Sequence, residues 1–443
     1  MRREPSVHPV QEQDMTSKRL FSVALALLAV PTLSDPGRDC ILNLLNARAG
    51  DSPRRYEEAA REVAAEAENG KPLHQFILAI VSSEPDAPQS AKLSDEMRAR
   101  YLESNRQRIR VLAIQKDNPL AWYLLSLDGN DTSLLKRAAE GDNVQALNEL
   151  GTCGLKKALS GRRLDERAMV AMRECFGYFN RATAKSDPNA FYNIGVCYLN
   201  GWGCKKDGQL AVDSLRRAAE LEQPKAINLL GELSRDGVVV DKDSDAATKY
   251  FAQSASLGHS RGQYNYAKAL ASGDGVERNE RRALTMMKSA AEQGLVEAMD
   301  AYAKMLYDGT GADFSSTNGL EGAELSAAVA ALGDAEAGRR HEAVSWWYHC
   351  AKTLEYPASM DNLATCFAEG GGVDKSERAA VAWYRRAADK GYVPAMLHLA
   401  ECCEEGVGGL KKSHYNANWW KTCARAAEGD RNASIWLGSH SLQ

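Results

Sequence analysis

Residues 190–225 read AFYNIGVCYLNGWGCKKDGQLAVDSLRRAAELEQPK, and residues 262–297 read GQYNYAKALASGDGVERNERRALTMMKSAAEQGLVE. Both stretches place small, apolar and glycine residues at the same points. A recurring internal period of this length is typical of stacked helical repeats. Blocks with the same pattern start at Ala190, Ala226, Gly262, Ala298, Ser359 and Ala395, with an earlier one at Ala146 and a half block at Ala433.

The first half of each block predicts a helix, called helix A, and a turn. Counted from the starting residue, position 5 is apolar and position 6 is small, which marks one buried face of a helix that lets a neighbour approach closely. Glycine just after a helix can take positive φ, which ends the helix and reverses the chain. Position 12 is glycine in all six blocks: Gly201, Gly237, Gly273, Gly309, Gly370 and Gly406.

The second half predicts a second helix, called helix B. Position 18 is Asp207, Asp243, Asn279 or Ser376 in the regular blocks, and each can accept a hydrogen bond from the first free backbone N–H groups of a helix. Apolar residues follow at positions 22, 26, 29 and 30, again on one face. One pair of helices cannot bury both faces, so we predict an all-α fold, a right-handed superhelical solenoid of antiparallel helix pairs.

The whole pattern, A-x-x-x-[LY]-[GA] with the glycine turn, the cap and A-x-x-[WYM]-x-x-[KR]-A-A-E-x-G, resembles the Sel-one-like repeat, a relative of the tetratricopeptide repeat. The best matches are Ala190–Lys225, Gly262–Glu297 and Ser359–Pro394. The resemblance implies a non-catalytic scaffold or adaptor that binds one or more partner proteins on the concave face of the solenoid. Members of such families often serve in larger complexes, some of them associated with membranes.

The chain divides by this pattern into three parts. Residues 146–443 carry the repeats, with an insertion near 317–340 that predicts an extra helix or a long loop. Residues 37–145 predict divergent hairpins of the tetratricopeptide type, and residues 1–36 form an arm or a targeting segment.

The N-terminal sequence is compatible with two cellular locations of the protein. Lys18 and Arg19 precede an apolar run, 20–30, that resembles a secretory signal, although acidic residues lie upstream. The run is too short to cross a bilayer, and no transmembrane span is expected elsewhere. A cytoplasmic or organellar location is favoured; if residues 15–34 act as a signal peptide, the protein is instead a secretory-pathway or exported adaptor of a membrane-associated, quality-control type of complex.

The net charge and the cysteine pattern limit the classes of partner and of site that the sequence supports. The net charge is −4 and the pI about 6.1, which disfavours RNA or DNA as a partner.

Ten cysteines include no C-x-x-C pair. Cys153, Cys197, Cys366 and Cys402 recur at one point of the repeat and are predicted to be small core residues in a reducing compartment, ahead of disulfides or a metal site.

No motif argues strongly for catalysis, a metal or a cofactor, and none of these is expected. Residues 258–262 fit G-x-S-x-G, but a hydrolase using Ser260 would need a strand before the serine, where the pattern predicts helix B. His341 and His349 are spaced too widely for a typical zinc pair. Three aromatic pairs, at 346–347, 383–384 and 419–420, are predicted to pack in the core, with contact to a partner as the alternative.

The outward positions of the A helices form the predicted partner surface. Asparagine can donate to and accept from a peptide backbone, so asparagines at position 4 suit an extended ligand. The alternative, left open, is that they cap or bridge neighbouring repeats. The predicted partner-binding residues are Asn193, Asn265, Asn362 and His398 at position 4, and Lys268, Lys304 and Glu401 at position 7.

Overall fold

A computed structural model describes residues 53–69, 72–83, 87–117, 119–129, 131–161, 165–311 and 322–439. The segment with signal-like features, residues 15–34, lies outside these ranges. Every regular element within them is a helix, and they contain no β-strand. The chain forms two compact units, residues 1–262 and 263–443.

The first unit consists of helical hairpins. Its helices are α1 (Pro53–Glu68), α2 (Pro72–Val81), α3 (Asp95–Lys116), α4 (Pro119–Gly129), α5 (Thr132–Glu140), α6 (Val144–Leu159), α7 (Glu166–Thr183), α8 (Pro188–Asn200), α9 (Gly208–Glu220), α10 (Pro224–Asp236) and α11 (Ser244–Ser256), with a 3₁₀ turn at Gln89–Ala91. The hairpins α8–α9 and α10–α11 are the repeats predicted to start at Ala190 and Ala226.

The second unit continues the same order of helices. Its helices are α12 (Ser260–Ser272), which begins just before the boundary, α13 (Glu280–Glu292), α14 (Val296–Asp308), α15 (Gly322–Thr353), α16 (Pro357–Glu369), α17 (Glu377–Asp389), α18 (Val393–Glu405), α19 (His414–Ala427) and α20 (Arg431–Ser439). Helices α12, α14, α16 and α18 are A helices, while α13, α15, α17 and α19 are B helices. The predicted all-α solenoid of helix pairs is therefore confirmed.

Local chemistry sets the ends of these helices as predicted. The six glycines at position 12 all have positive φ, and Gly201, for example, donates its N–H to the carbonyl of Cys197 at 2.8 Å. At position 18 the side chain of Asp243 accepts from the N–H of Ala246 at 2.9 Å. The same cap closes the N-terminus of α9, α13 and α17.

Small residues at position 6 allow the two helices of a pair to touch. A Cβ atom on Gly195 would lie 2.8 Å from Leu215, and one on Gly231 would lie 2.6 Å from Phe251. In the second unit the equivalent alanines, such as Ala364, are completely buried. Close approach thus requires a small side chain, which the sequence pattern predicts.

The insertion extends a B helix. Residues 322–353 form one continuous helix, α15, of 32 residues, whereas the regular B helix α13 has 13. The inserted residues from 322 onward are therefore helical. They continue into α15 without a break, and the part of the insertion before 322 lies outside the described ranges.

The second unit has its own apolar core. Its members include Trp347, Tyr384 and Trp420, all buried, which confirms core packing for the second aromatic of each predicted pair. The first aromatic of each pair, such as Trp383, is half-buried. This leaves part of its ring at the surface of the B helices.

Candidate functional site

Six of the seven predicted partner-binding residues lie in the second unit, on α12, α14, α16 and α18. The exception is Asn193, which is half-buried on α8 of the first unit. We call the surface formed by α14, α16 and α18 the A-helix face.

Asp300 on α14 joins this face to the next A helix. One of its carboxylate oxygens accepts from the hydroxyl of Ser359 at 2.7 Å and from the Nδ2 of Asn362 at 3.1 Å. Burial raises the pKa of Asp300, and these two hydrogen bonds oppose the rise. Asn362 therefore bridges two repeats, which is the second role that the sequence leaves open for position 4.

Asp361 on α16 makes the equivalent connection to α18. Its Oδ1 lies 2.8 Å from Nδ1 of His398, and the carboxylate is buried while the histidine side chain is 36% exposed. The hydrogen bond to Asp361 raises the pKa of His398. The ring of His398 also packs on Tyr384, with the ring centroids 4.8 Å apart.

A polar ladder thus runs across the A-helix face. Its two rungs have the same form: a carboxylate at position 3 of one repeat holds the position-4 side chain of the next. Asp300 and Asp361 are absent from the predicted partner-binding residues, which come from positions 4 and 7 of the repeat. A carboxylate at position 3 followed by an amide or imidazole at position 4 of the next block is the signal that would have found them.

The charged residues predicted at position 7 lie at the surface. Glu401 is exposed, and Lys304 is exposed with its Nζ 3.8 Å from Asp308. Lys268 is exposed above the ring of Tyr264, with its Nζ 5.5 Å from the centroid. Asn265, by contrast, is only 5% exposed.

The A-helix face is acidic. Helices α14, α16 and α18 together carry eight aspartates and glutamates against a single lysine, Lys304. Two of the carboxylates, Asp300 and Asp361, are held in the ladder, while others such as Glu401 remain at the surface. The arrangement gives a face of fixed shape with excess negative charge.

The hydrolase-like motif has a structural role in the first unit. Ser260 is the first residue of α12 and follows the helix α11 rather than a strand. His259 caps α12 by accepting from the N–H of Gly262 at 3.2 Å. Its Nδ1 also lies 3.0 Å from the hydroxyl of Ser254. Ser254 and His259 are both buried, so neither of these two side chains is accessible to solvent.

None of the nine cysteines in the described ranges forms a disulfide. Cys197 and Cys366 are buried as predicted, and Cys402 is half-buried, but the core prediction is wrong for Cys153. That thiol is exposed on α6. No group of metal-ligating side chains occurs in the part of the chain that the structure describes.

None of the described helices combines the length and the apolar character needed to span a membrane. The proposed signal segment lies outside the described residues. Association with a membrane complex and a role in the secretory pathway therefore stay predictions.

Comparison with known proteins agrees with the fold and its period. The family model described as Sel1 repeat matches residues 188–222, 224–259, 260–295, 357–392 and 393–424. The chain contains five Sel1-like repeats. The family matches omit residues 296–356, which contain α14 and the long α15, so the irregular unit departs from the family in sequence while keeping helix A.

A Sel1 repeat protein from Oxalobacter formigenes shares the fold, with a TM-score of 0.50 and 21% identity over 61% of this chain and 96% of that one. The antigen c5321 of uropathogenic Escherichia coli, described as having an SLR fold, is 20% identical with a TM-score of 0.36, covering 85% of this chain and 91% of that one. An uncharacterized protein of Neisseria meningitidis serogroup B is 25% identical over 46% of this chain. The match spans 41% of the length of that curated relative.

Proposed function

We propose that this protein is a scaffold that holds a partner protein on the A-helix face of its second unit. Sel1 repeat proteins are generally protein-interaction scaffolds, and the family is typically non-catalytic. The single observation that carries the proposal is the polar ladder, in which Asp300 and Asp361 fix side chains of adjacent A helices.

The ladder supports binding because it orders the face before a partner arrives. Immobilising a side chain on binding costs about 0.5–1.5 kcal/mol. Asn362 and His398 are already held by hydrogen bonds of 3.1 and 2.8 Å. Much of the free energy needed to immobilise these side chains is therefore already spent when the chain folds. The side chains are half-buried, so a ligand can still contact them.

Charge indicates the chemistry of the partner. Helices α14, α16 and α18 together carry eight carboxylates and only one lysine. Complementary potentials speed association and disfavour partners of like charge. The proposed partner therefore presents a segment that is basic overall.

The test reverses one exposed charge on the A-helix face. In Glu401→Lys, we expect several-fold weaker capture of the partner from an extract of the source organism, and slower association with the purified partner, because rim charges act mainly on the association rate. Quantitative mass spectrometry of the captured proteins and surface plasmon resonance give the two readouts.

Glu292→Lys is the matched control. Glu292 is an exposed glutamate on the B helix α13, 58% exposed and 3.9 Å from Lys288. This variant should capture the partner as the wild type does. Equal capture by wild type and Glu401→Lys would show that the partner binds elsewhere.

A further inference from the structure

The B helices of the second unit carry a different surface, which we call the outer patch: Tyr348 and Lys352 on α15, and Trp383 and Arg386 on α17. The guanidinium carbon of Arg386 lies 4.4 Å from the centroid of the Trp383 ring. The Nζ of Lys352 lies 5.2 Å from the centroid of Tyr348 and donates to its hydroxyl at 2.9 Å. The two aromatic rings meet edge to face at 6.4 Å.

The patch is open to solvent. Tyr348 is 44% exposed, Lys352 and Arg386 are exposed, and Trp383 is half-buried. Aromatic residues such as Tyr348 and Trp383 are enriched at protein interfaces relative to the rest of the surface.

Among the described residues, neither cation of the patch forms an ion pair. The nearby carboxylate of Glu355 is held by Lys390 at 2.7 Å, while Lys352 and Arg386 have aromatic rings as their partners. Stacking orders an arginine without using its outer N–H groups, which can still bind a carboxylate in bidentate fashion. The two positive charges are therefore held in place. The charge of Arg386 also lowers the pKa of Glu355, but neither cation is taken up by a salt bridge among the described residues.

The positive charge is local to the patch. Helix α17 carries three arginines against two carboxylates, whereas α15 carries three arginines and lysines against four carboxylates. Tryptophan, tyrosine and arginine are also the residues that most often dominate binding energy at protein interfaces.

We propose that the outer patch docks an acidic segment of a partner protein, whose carboxylates bind Arg386 and Lys352 while an apolar side chain packs against Tyr348 and Trp383. A protein segment fits better than a nucleic acid. The carboxylates of Glu355 and Asp389 lie beside the patch, and the chain as a whole has a net charge of −4, so a long polyanion would meet repulsion on either side.

The probe is a fluorescent peptide that contains several glutamates around a phenylalanine, compared with a peptide in which glutamine replaces each glutamate. Anisotropy titrations use the full-length protein at low and at raised salt. We expect the glutamate peptide to bind at low salt and the glutamine peptide to bind at least tenfold more weakly, because only the first offers carboxylates to the patch.

Arg386→Gln should weaken binding of the glutamate peptide about tenfold, the usual scale for an interface anchor. Arg378→Gln is the matched control, since Arg378 is an exposed arginine on the same helix and its loss changes the net charge equally. Trp383→Leu keeps both charges and should also weaken binding. Circular dichroism establishes that each variant is folded.

Three outcomes would overturn the proposal. Equal affinity for the two peptides would exclude recognition of carboxylates. Equal effects of Arg386→Gln and Arg378→Gln would show that the peptide responds only to the net charge of the protein and not to Arg386 itself. Displacement of the peptide by a single-stranded oligonucleotide at lower concentration than by unlabelled peptide would assign the patch to phosphate groups instead.

Discussion

His259 is a histidine that stabilises the fold only in its neutral form. Its Nδ1 accepts from the N–H of Gly262 at the start of α12. Burial, together with the charges of Lys225 and Arg261, lowers the pKa of His259 to about 3. Protonation at Nδ1 would also break the cap at the start of α12.

This histidine predicts a loss of stability in mild acid. The folded pKa of about 3 lies below the ordinary value of 6.5, so the unfolded chain binds the proton first as the pH falls. The contribution of His259 is complete above about pH 6.5 and has fallen by about 2 kcal/mol at about pH 5. Urea unfolding between pH 5 and 7.5, roughly, measures it.

His259→Asn separates this effect from the titration of other groups. Asparagine can keep the cap on Gly262 because its side-chain oxygen accepts a hydrogen bond, but it does not titrate. The variant should lose less stability than the wild type over the same pH interval. Parallel pH profiles for the two proteins would show that His259 is not the acid-sensitive group.

At the scale of an element, the turn between helices A and B contains one strained residue. Position 14 is glycine with positive φ in five repeats, but in the repeat that starts at Ala226 it is Val239, with φ of +69°. A β-branched residue in this conformation carries a steric cost of about 1–2 kcal/mol. Val239 is also 48% exposed, so little burial compensates for it.

Val239→Gly should therefore stabilise the protein by about 1 kcal/mol, since the relief of strain exceeds the added flexibility of the unfolded chain. Chemical denaturation at neutral pH measures the change in the free energy of unfolding. Val240→Gly is the control: Val240 is half-buried with ordinary φ, and its replacement should destabilise. A lower stability for Val239→Gly would show that the contacts of the valine outweigh its strain.

Sequence predicts the elements well because their ends depend on nearby residues. The N-cap at Asp243 and the helix end at Gly201 depend only on hydrogen bonds within the same turn of the chain. The ladder depends on contacts between repeats, and Asp300 and Asn362 are 62 residues apart because the insertion lies between them. Their pairing could not be inferred until the path of α15 was known.

At the scale of the whole molecule, the net charge of −4 conceals a local segregation of charge. In the second unit the A helices α14, α16 and α18 are acidic and the B helices α17 and α19 are basic, whereas α12 and α15 do not follow this division. Composition alone predicts no general affinity for polyanions, yet it cannot show that two faces suit partners of opposite charge. That property emerges only when alternate helices are placed on opposite sides of a stack.

Two faces with opposite charge predict two independent binding events. Glu401→Lys should weaken the partner of the A-helix face and leave the acidic peptide unaffected, and Arg386→Gln should do the reverse. Changes at well-separated sites usually add to within about 0.5 kcal/mol, so the double variant should show both losses at the size found in each single variant. Titration of each ligand in the presence of the other measures the coupling directly. If saturation with the acidic peptide releases the other partner, the two ligands compete for one surface, because independent faces would leave each affinity unchanged.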